Sequence, residues 1–294
     1  MKSLGQASEV GVLRDVLVAD PRILFGDANR VSSEWRTLNF TFAPDVENLV
    51  REFRAFVGVL EESGVSVEQV SPTDKLSLDA IYLRDSSIVL PDGSVILCRM
   101  GKTNRQAEPD FAGEYYKKIG ARIAGRIEAP GTLEGGDVIL LDNSTLVVAR
   151  SYRTNYEGIR QLKHLLPDSI EHIITVPLPY FRGPSDVLHL MSLVSPIDEG
   201  TLLVHLNLLP IDFVEWMKRR KYNLIEIDTT EYDSLACNVL SLGARRCIMV
   251  KGNPLTASRL REASFEVIEI DGKDLCLSGC GGPTCLTRPL LRTS

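Results

Sequence analysis

The sequence has no basic excess, no long apolar run and no closely paired cysteines, and each absence removes a class of function. Of 294 residues, 33 are lysine or arginine and 39 are aspartate or glutamate, giving a net charge of -6. Nucleic acid and anionic membrane both need basic surface, so neither is expected as a partner, whereas a small cation would be drawn in. The N-terminus, Met1 to Val10, has no apolar stretch long enough for a signal peptide, and no later run approaches a membrane span. A cytoplasmic protein is expected. Its six cysteines (Cys98, Cys237, Cys247, Cys276, Cys280 and Cys285) then read as reduced thiols. With no C-x-x-C pair and no histidine near Cys276, Cys280 and Cys285, structural zinc is not expected, and no metal or cofactor is implied. Cys276 and Cys280 read as packing residues.

What is present is ample core material. Hydrophobic residues make up 44% of the chain, enough for one large domain over residues 1–294. The stretch Leu277 to Leu291 places three glycines and a proline just ahead of Cys285 and a short apolar run. A tight turn there delivers the backbone into a strand and presents the thiol, a suitable place for a nucleophile.

Along the chain, Val10 to Ala19 reads as two short apolar segments stopped by Asp20-Pro21, and residues 22–43 read as a long loop. Helical spacing marks Pro44 to Gly64, Glu114 to Ala124, Tyr156 to Leu166, Ile211 to Lys221 and Leu255 to Ala263. A strand follows each: Val65 to Val70, Arg126 to Ala129, Ile173 to Pro177, Asn223 to Ile227 and Phe265 to Ile270. Hairpins precede the last four helices, at Tyr82 to Cys98, Gly136 to Ala149, Leu188 to His205 and Cys237 to Val250.

Anchoring each hairpin at its leading polar residue gives Asp85, Asp137, His189, Asn238 and Cys285, at intervals of about 50 residues. The fifth module is completed only if Val10 to Ala19 pairs with the strand after Cys285. Such modules cannot bury both faces alone, so they should close into a ring with helices outside and leading strands inside. The five anchors, two carboxylates, an imidazole, an amide and a thiol, would converge on the axis. Those types suit a site better than a core. His164, His172 and His205 read as surface residues.

From Val10 to Leu290 the chain resembles the guanidino-group-modifying enzymes: dimethylargininases, arginine deiminases and amidinotransferases. The marks are Leu83-Arg84-Asp85, Leu133-Glu134-Gly135-Gly136-Asp137-Val138, Arg153-Thr154-Asn155, Leu188-His189-Leu190 and Gly281-Gly282-Pro283-Thr284-Cys285-Leu286-Thr287. The resemblance implies an α/β fold, the fivefold pseudosymmetric α/β-propeller (pentein) of ββαβ-type repeats. It also implies roles: Cys285 as nucleophile, His189 as general acid and base, and Glu134 as a carboxylate near guanidinium and imidazole. Asp85 would hold guanidinium nitrogens, and Asp79 either those or the substrate amine. Arg153, with Arg105 or Arg99, would meet a substrate carboxylate, and Asp137 would brace the Gly135-Gly136 turn. Paired carboxylates suit a planar cation with several N–H donors, and a neutral-range imidazole suits proton transfer to a departing amine.

Two departures bear on the substrate. Arginine deiminases carry an acid two residues after the histidine, where this chain has Met191, whereas Arg84 resembles the deiminases and stands where many dimethylargininases have a second acid. Strand alternation would point Arg84 away from Asp85. The expected activity is hydrolysis of a small cationic guanidino compound, an N-methylated arginine before plain arginine, to citrulline and an amine. Arginine deimination, amidino transfer and a non-catalytic binding role are the alternatives, and a homo-oligomer is left open.

Overall fold

A computed structural model describes residues 2–186 and 188–293. The chain begins with strand β1 (Val12–Ala19), two short helices α1 (Arg22–Phe25) and α2 (Ala28–Glu34), then α3 (Val46–Glu62) and β2 (Ser66–Val70). Four units of one pattern follow: β3 (Ser87–Val89), β4 (Val95–Leu97), α4 (Glu108–Lys118), β5 (Ile123–Arg126); β6 (Val138–Leu140), β7 (Thr145–Arg150), α5 (Tyr156–Leu165), β8 (His172–Pro177); β9 (Val194–Asp198), β10 (Thr201–Val204), α6 (Ile211–Arg219), β11 (Asn223–Glu226); and β12 (Leu240–Gly243), β13 (Arg246–Val250), α7 (Pro254–Glu262), β14 (Glu266–Ile270). The chain closes with α8 (Pro283–Leu286) and β15 (Thr287–Thr293).

Every sheet has three strands, an antiparallel hairpin extended by a parallel third strand after the crossover helix. The fifth is built from both ends of the chain: β15 runs antiparallel to β1, which pairs in parallel with β2. This is the fivefold α/β-propeller. Each sheet touches the next, through the turns at residues 83–86, 135–137 and 190–192, through β9 and β12, through β12 and β1, and finally through α8 and the turn at 83–86. No described helix is long and apolar enough to cross a membrane.

The helices form where apolar residues recur on one face. In α3, Leu49, Phe53, Phe56, Val57 and Leu60 are buried, and Asp45 caps the first turn by accepting from Asn48 N at 3.1 Å. Each fully buried Phe or Leu contributes roughly 1.5–3 kcal/mol of transfer free energy.

Three boundaries differ from expectation. Residues 22–43 are a packed segment, because Leu24, Phe25, Val31, Leu38 and Phe40 join the core beside α3. Helix α4 begins at Glu108, not Glu114: Pro109 sits in its first turn, with acids at the start and Lys117 and Lys118 at the end. The shift carries the next strand to Ile123–Arg126 instead of Arg126 to Ala129. His205 is buried and stacked on Tyr232, with ring centroids 4.8 Å apart, not at the surface.

Beneath the axis lies a charged core. Arg84, Arg288 and Arg292 are all buried, and Arg84 pairs with buried Glu9 at 3.2 Å. Their other donors stitch repeats together: Arg84 Nε to Thr284 O at 3.2 Å, Arg288 Nη1 to Ser87 O at 2.7 Å, and Arg292 Nη2 to Ser241 O at 2.9 Å. Arg84 occupies a 3₁₀ turn, not a strand, and it does face away from the Asp85 side. Breaking a buried pair leaves an uncompensated charge, so Glu9→Gln should cost about 3–5 kcal/mol in denaturant unfolding, and Glu9→Gln with Arg84→Met should recover part of it.

Candidate active site

The five anchors stand at the head of the five leading strands. Asp85 and Asp137 lie in 3₁₀ turns before β3 and β6, His189 caps the turn before β9, Asn238 precedes β12, and Cys285 sits in α8 before β15. Polar bonds between repeats hold them there. Asp85 Oδ1 accepts from Gly136 N at 3.0 Å, Asp137 Oδ1 from Leu190 N at 3.0 Å, and Asn238 Oδ1 from Thr284 N at 3.0 Å.

One cavity is lined by Cys285, His189, Asp85, Asp79, Arg105 and Arg153. Lys102, Asp186, Tyr82 and Cys280 also face it. Cys280 is therefore more than packing. Cys276 is buried in the core, as read.

Behind the cavity wall, Glu134 is fully buried and its Oε2 lies 2.8 Å from His189 Nε2. Its other oxygen accepts from Gly101 N at 2.9 Å and Lys102 N at 3.2 Å, which fixes the carboxylate and through it the ring. On the other side of the ring, Asp85 Oδ1 is 3.8 Å from His189 Nδ1. A Cβ at position 136 would come within 2.6 Å of that nitrogen and 2.7 Å of Asp85 Oδ1, so only glycine admits the pair. Burial pushes the His189 pKa down, but Asp85, Asp137 and the bond to Glu134 outweigh it and raise the value to about 9. Burial also acts upward on Glu134, where His189, Arg153 and Arg105 win and hold it well below the ordinary range. The histidine is an imidazolium at neutral pH.

The thiol is in the opposite condition. Burial and then Asp85 push the Cys285 pKa up, against hydrogen bonds from Asn238 and Thr284 and the Gly282 amide. Asn238 Nδ2 donates to Sγ at 3.2 Å. The loop that carries Cys285 is set by α3: buried Glu52 accepts from Lys273, Asp274 and Leu275 amides at 3.2, 3.0 and 2.8 Å, and Asp274 accepts from Asp45 N at 2.8 Å.

Several expected placements differ. Arg105 is closed to a ligand carboxylate, since it bonds Asp85 at 2.6 Å and Glu108 through two contacts at 2.8 Å. Arg99 lies outside the cavity and donates to Gly131 O at 3.2 Å. Asp137 braces neighbouring segments, accepting from Ser151 Oγ at 2.5 Å and Leu190 N, and does not brace its own turn. Arg153 is buried, with Nη1 at 3.5 Å from Glu134 Oε2 but without a hydrogen bond. Asp79 already pairs with Lys102 at 2.5 Å. Lys102, Glu52 and the orientation of Asn238 had no local signature, although Asn238 was visible as an anchor.

Comparison with known proteins decides the family. A family model described as N,N dimethylarginine dimethylhydrolase, eukaryotic, matches residues 43–292. The chain belongs to this family. It is accordingly a hydrolase of guanidine C–N bonds. An N(G),N(G)-dimethylarginine dimethylaminohydrolase of Streptomyces coelicolor is 29% identical over 239 residues, 81% of this chain and 84% of the relative. Among solved structures, a cysteine-to-serine variant of the Pseudomonas aeruginosa family member, complexed with citrulline, superposes with a TM-score of 0.75 at 24% identity, covering 96% of this chain and 100% of that one. The N-terminal domain of ArgZ, an arginine dihydrolase from cyanobacteria, superposes at 0.79 with 18% identity, covering 95% and 97%.

The His189 assignment is checked by imidazole NMR. Its midpoint should fall near 9 in the native protein and drop by at least about one unit in Glu134→Gln, where burial meets one carboxylate fewer. Because the folded value lies above the ordinary 6.5, the stability this pair supplies should be complete below about 6.5 and lost as pH rises through about 9.

Proposed function

We propose that this chain hydrolyses an N-methylated arginine to citrulline and methylamine or dimethylamine through a covalent thiouronium on Cys285, with residues 1–294 acting as one unit. The observation that carries the reading is a half-buried thiol and an imidazolium facing one cavity whose wall also holds carboxylates.

In the free enzyme the thiol is protonated. A guanidinium held beside Asp85 brings positive charge to the sulfur and favours the thiolate, and the thiol proton leaves to solvent. The thiolate attacks the central guanidinium carbon, forming the C–S bond. His189 passes its proton to the departing amine as the C–N bond breaks, leaving the thiouronium. Water then attacks the same carbon and gives a proton to neutral His189. The hydroxyl proton of the adduct passes to solvent as the C–S bond breaks, the electron pair of that bond returns to sulfur, neutral citrulline departs, and the thiolate takes a proton from solvent to restore the resting thiol. Glu134 acts through the imidazole, keeping it charged and oriented.

Met191 supports a substituted guanidine over plain arginine. It is buried in the core beside β9, so the position two residues after His189 offers no acid for unsubstituted nitrogens. Arg84 faces Glu9 and brings no charge into the cavity. At the far end, Asp79 can take a substrate ammonium only if Lys102 turns to the substrate carboxylate, which would also meet the unpartnered nitrogen of Arg153.

Product analysis tests the reading. Methylamine or dimethylamine in equal amount to citrulline is expected; ammonia alone points to deimination, and transfer to an added amine points to amidino transfer. Cys285→Ser should lose on the order of 10⁴-fold or more in kcat, and His189→Ala roughly 10²- to 10⁴-fold. Quenched turnover should show a mass adduct on Cys285 in the native enzyme. Alkylation of Cys285 no faster than that of buried Cys98 or Cys247, or full activity in Cys285→Ser, sinks the nucleophile assignment. Lys102→Met should raise KM for the methylated amino acid by about tenfold or more with a smaller effect on kcat, as loss of one charge-assisted contact requires.

A further inference from the structure

We propose that the side-chain amide of Asn238 is a catalytic donor to the Cys285 thiolate, favouring its formation and receiving it again when it leaves the thiouronium; this rests on the reading of Cys285 as the nucleophile. The direction of the amide is fixed by its neighbours. The Thr284 backbone N–H, 3.0 Å away, can face only the oxygen of the side chain, and Thr284 Oγ1 donates to the same oxygen at 2.6 Å. The NH₂ end is then left to point at Sγ, 3.2 Å away. Position 282 has to be bare for this, since a Cβ there would sit 2.5 Å from Asn238 Oδ1.

The charged and titratable groups around the sulfur do not supply this contact. Asp85 opposes a thiolate. Tyr82 and Cys280 line the same cavity and Cys276 lies nearby; all three titrate above their ordinary values because burial disfavours their charged forms, so they are neutral at working pH. His189 shares the cavity as an imidazolium, but its ring is bonded to Glu134. Thr284 Oγ1 is 3.9 Å from Sγ with its proton turned to Asn238 Oδ1 at 2.6 Å, so it and the Gly282 amide only supplement the larger contact from Asn238. Asn238 is 4% exposed, so its N–H meets the sulfur with little competition from water.

The contribution differs between the two halves of the reaction. During attack, negative charge leaves sulfur as the C–S bond forms, and the N–H···S bond weakens. During hydrolysis of the thiouronium the C–S bond breaks and its electron pair returns to sulfur, where the donor strengthens its hold. Losing the donor should therefore slow both halves, attack by lowering the thiolate fraction and breakdown by leaving the departing sulfur without its partner.

The test titrates the thiolate by ultraviolet absorbance in the substrate-free protein, with Cys285→Ser as the blank. Asn238→Asp keeps an oxygen for Thr284 but replaces the donor with an acceptor, whereas Asn238→Ala removes both. The thiol midpoint should rise by about one to two pH units in Asn238→Ala, and at least as far in Asn238→Asp. The Asp variant should unfold near the wild-type temperature, and both should form and clear the thiouronium more slowly in single-turnover mass spectra. If Asn238→Asp restores the wild-type midpoint, the residue serves only to hold Thr284 and the proposal is overturned. Wild-type protein gives a second readout that needs no variant to fold: the Asn238 side-chain amide protons should shift with the same midpoint as the thiolate, and an unmoved amide overturns the proposal. A Cys285 that neither ionises nor labels overturns the nucleophile reading as well, whereas a reactive Cys285 with unmoved midpoints overturns this one alone.

Discussion

The structure depends on side chains that satisfy the backbone of the next repeat. Asp85 takes the amide of Gly136, Asp137 that of Leu190, and Asn238 that of Thr284, while Ser195 Oγ donates to Cys237 O at 2.5 Å and accepts from Val239 N at 3.3 Å. Each bond is buried, so leaving either partner unpaired would cost about 1–3 kcal/mol. The same bonds that join neighbouring sheets therefore help to set Asp85, His189 and Cys285 on one cavity. Assembly of the ring and assembly of the site are one event.

Within that cavity burial disfavours charge on both Cys285 and His189, and only the histidine has neighbours that overcome it. Cys285 is kept as a thiol by desolvation and by Asp85, and His189 is kept charged because several carboxylates outweigh desolvation. A resting thiol is protected from oxidants, which attack thiolates far faster. On the proposed reading, a bound cation would be the agent that turns that thiol into a thiolate.

Much of this was legible in the chain because the signals were local and repeated. The interval between Asp85, Asp137, His189, Asn238 and Cys285 exposed the modules, and the pairing of Val12–Ala19 with Thr287–Thr293 followed from the need to complete the fifth. The fold was recoverable on that basis, and three of the five anchors, Asp85, His189 and Cys285, line the cavity. Contacts distant in sequence were not. Nothing in the window around Arg105 shows that Asp85 and Glu108 occupy it, and nothing around Glu52 shows that it holds the turn at 273–275. Local pattern likewise placed α4 late, since the apolar spacing from Glu114 onward outweighed the acid-proline start at Glu108 and Pro109. Arg99 and Arg105 were indistinguishable on charge and position alone, and only burial against Asp85 separates them.

The pairing of β15 with β1 has a consequence for biosynthesis. The sheet that carries Cys285 joins residues 12–19 to residues 287–293, so it cannot form until almost all of this sequence has left the ribosome. The other four sheets each draw on one contiguous stretch and need no such wait, but the ring they belong to stays open. With Cys285 as the proposed nucleophile, a product that stops before α8 lacks the thiol, so premature termination should leave a silent polypeptide instead of a rogue one.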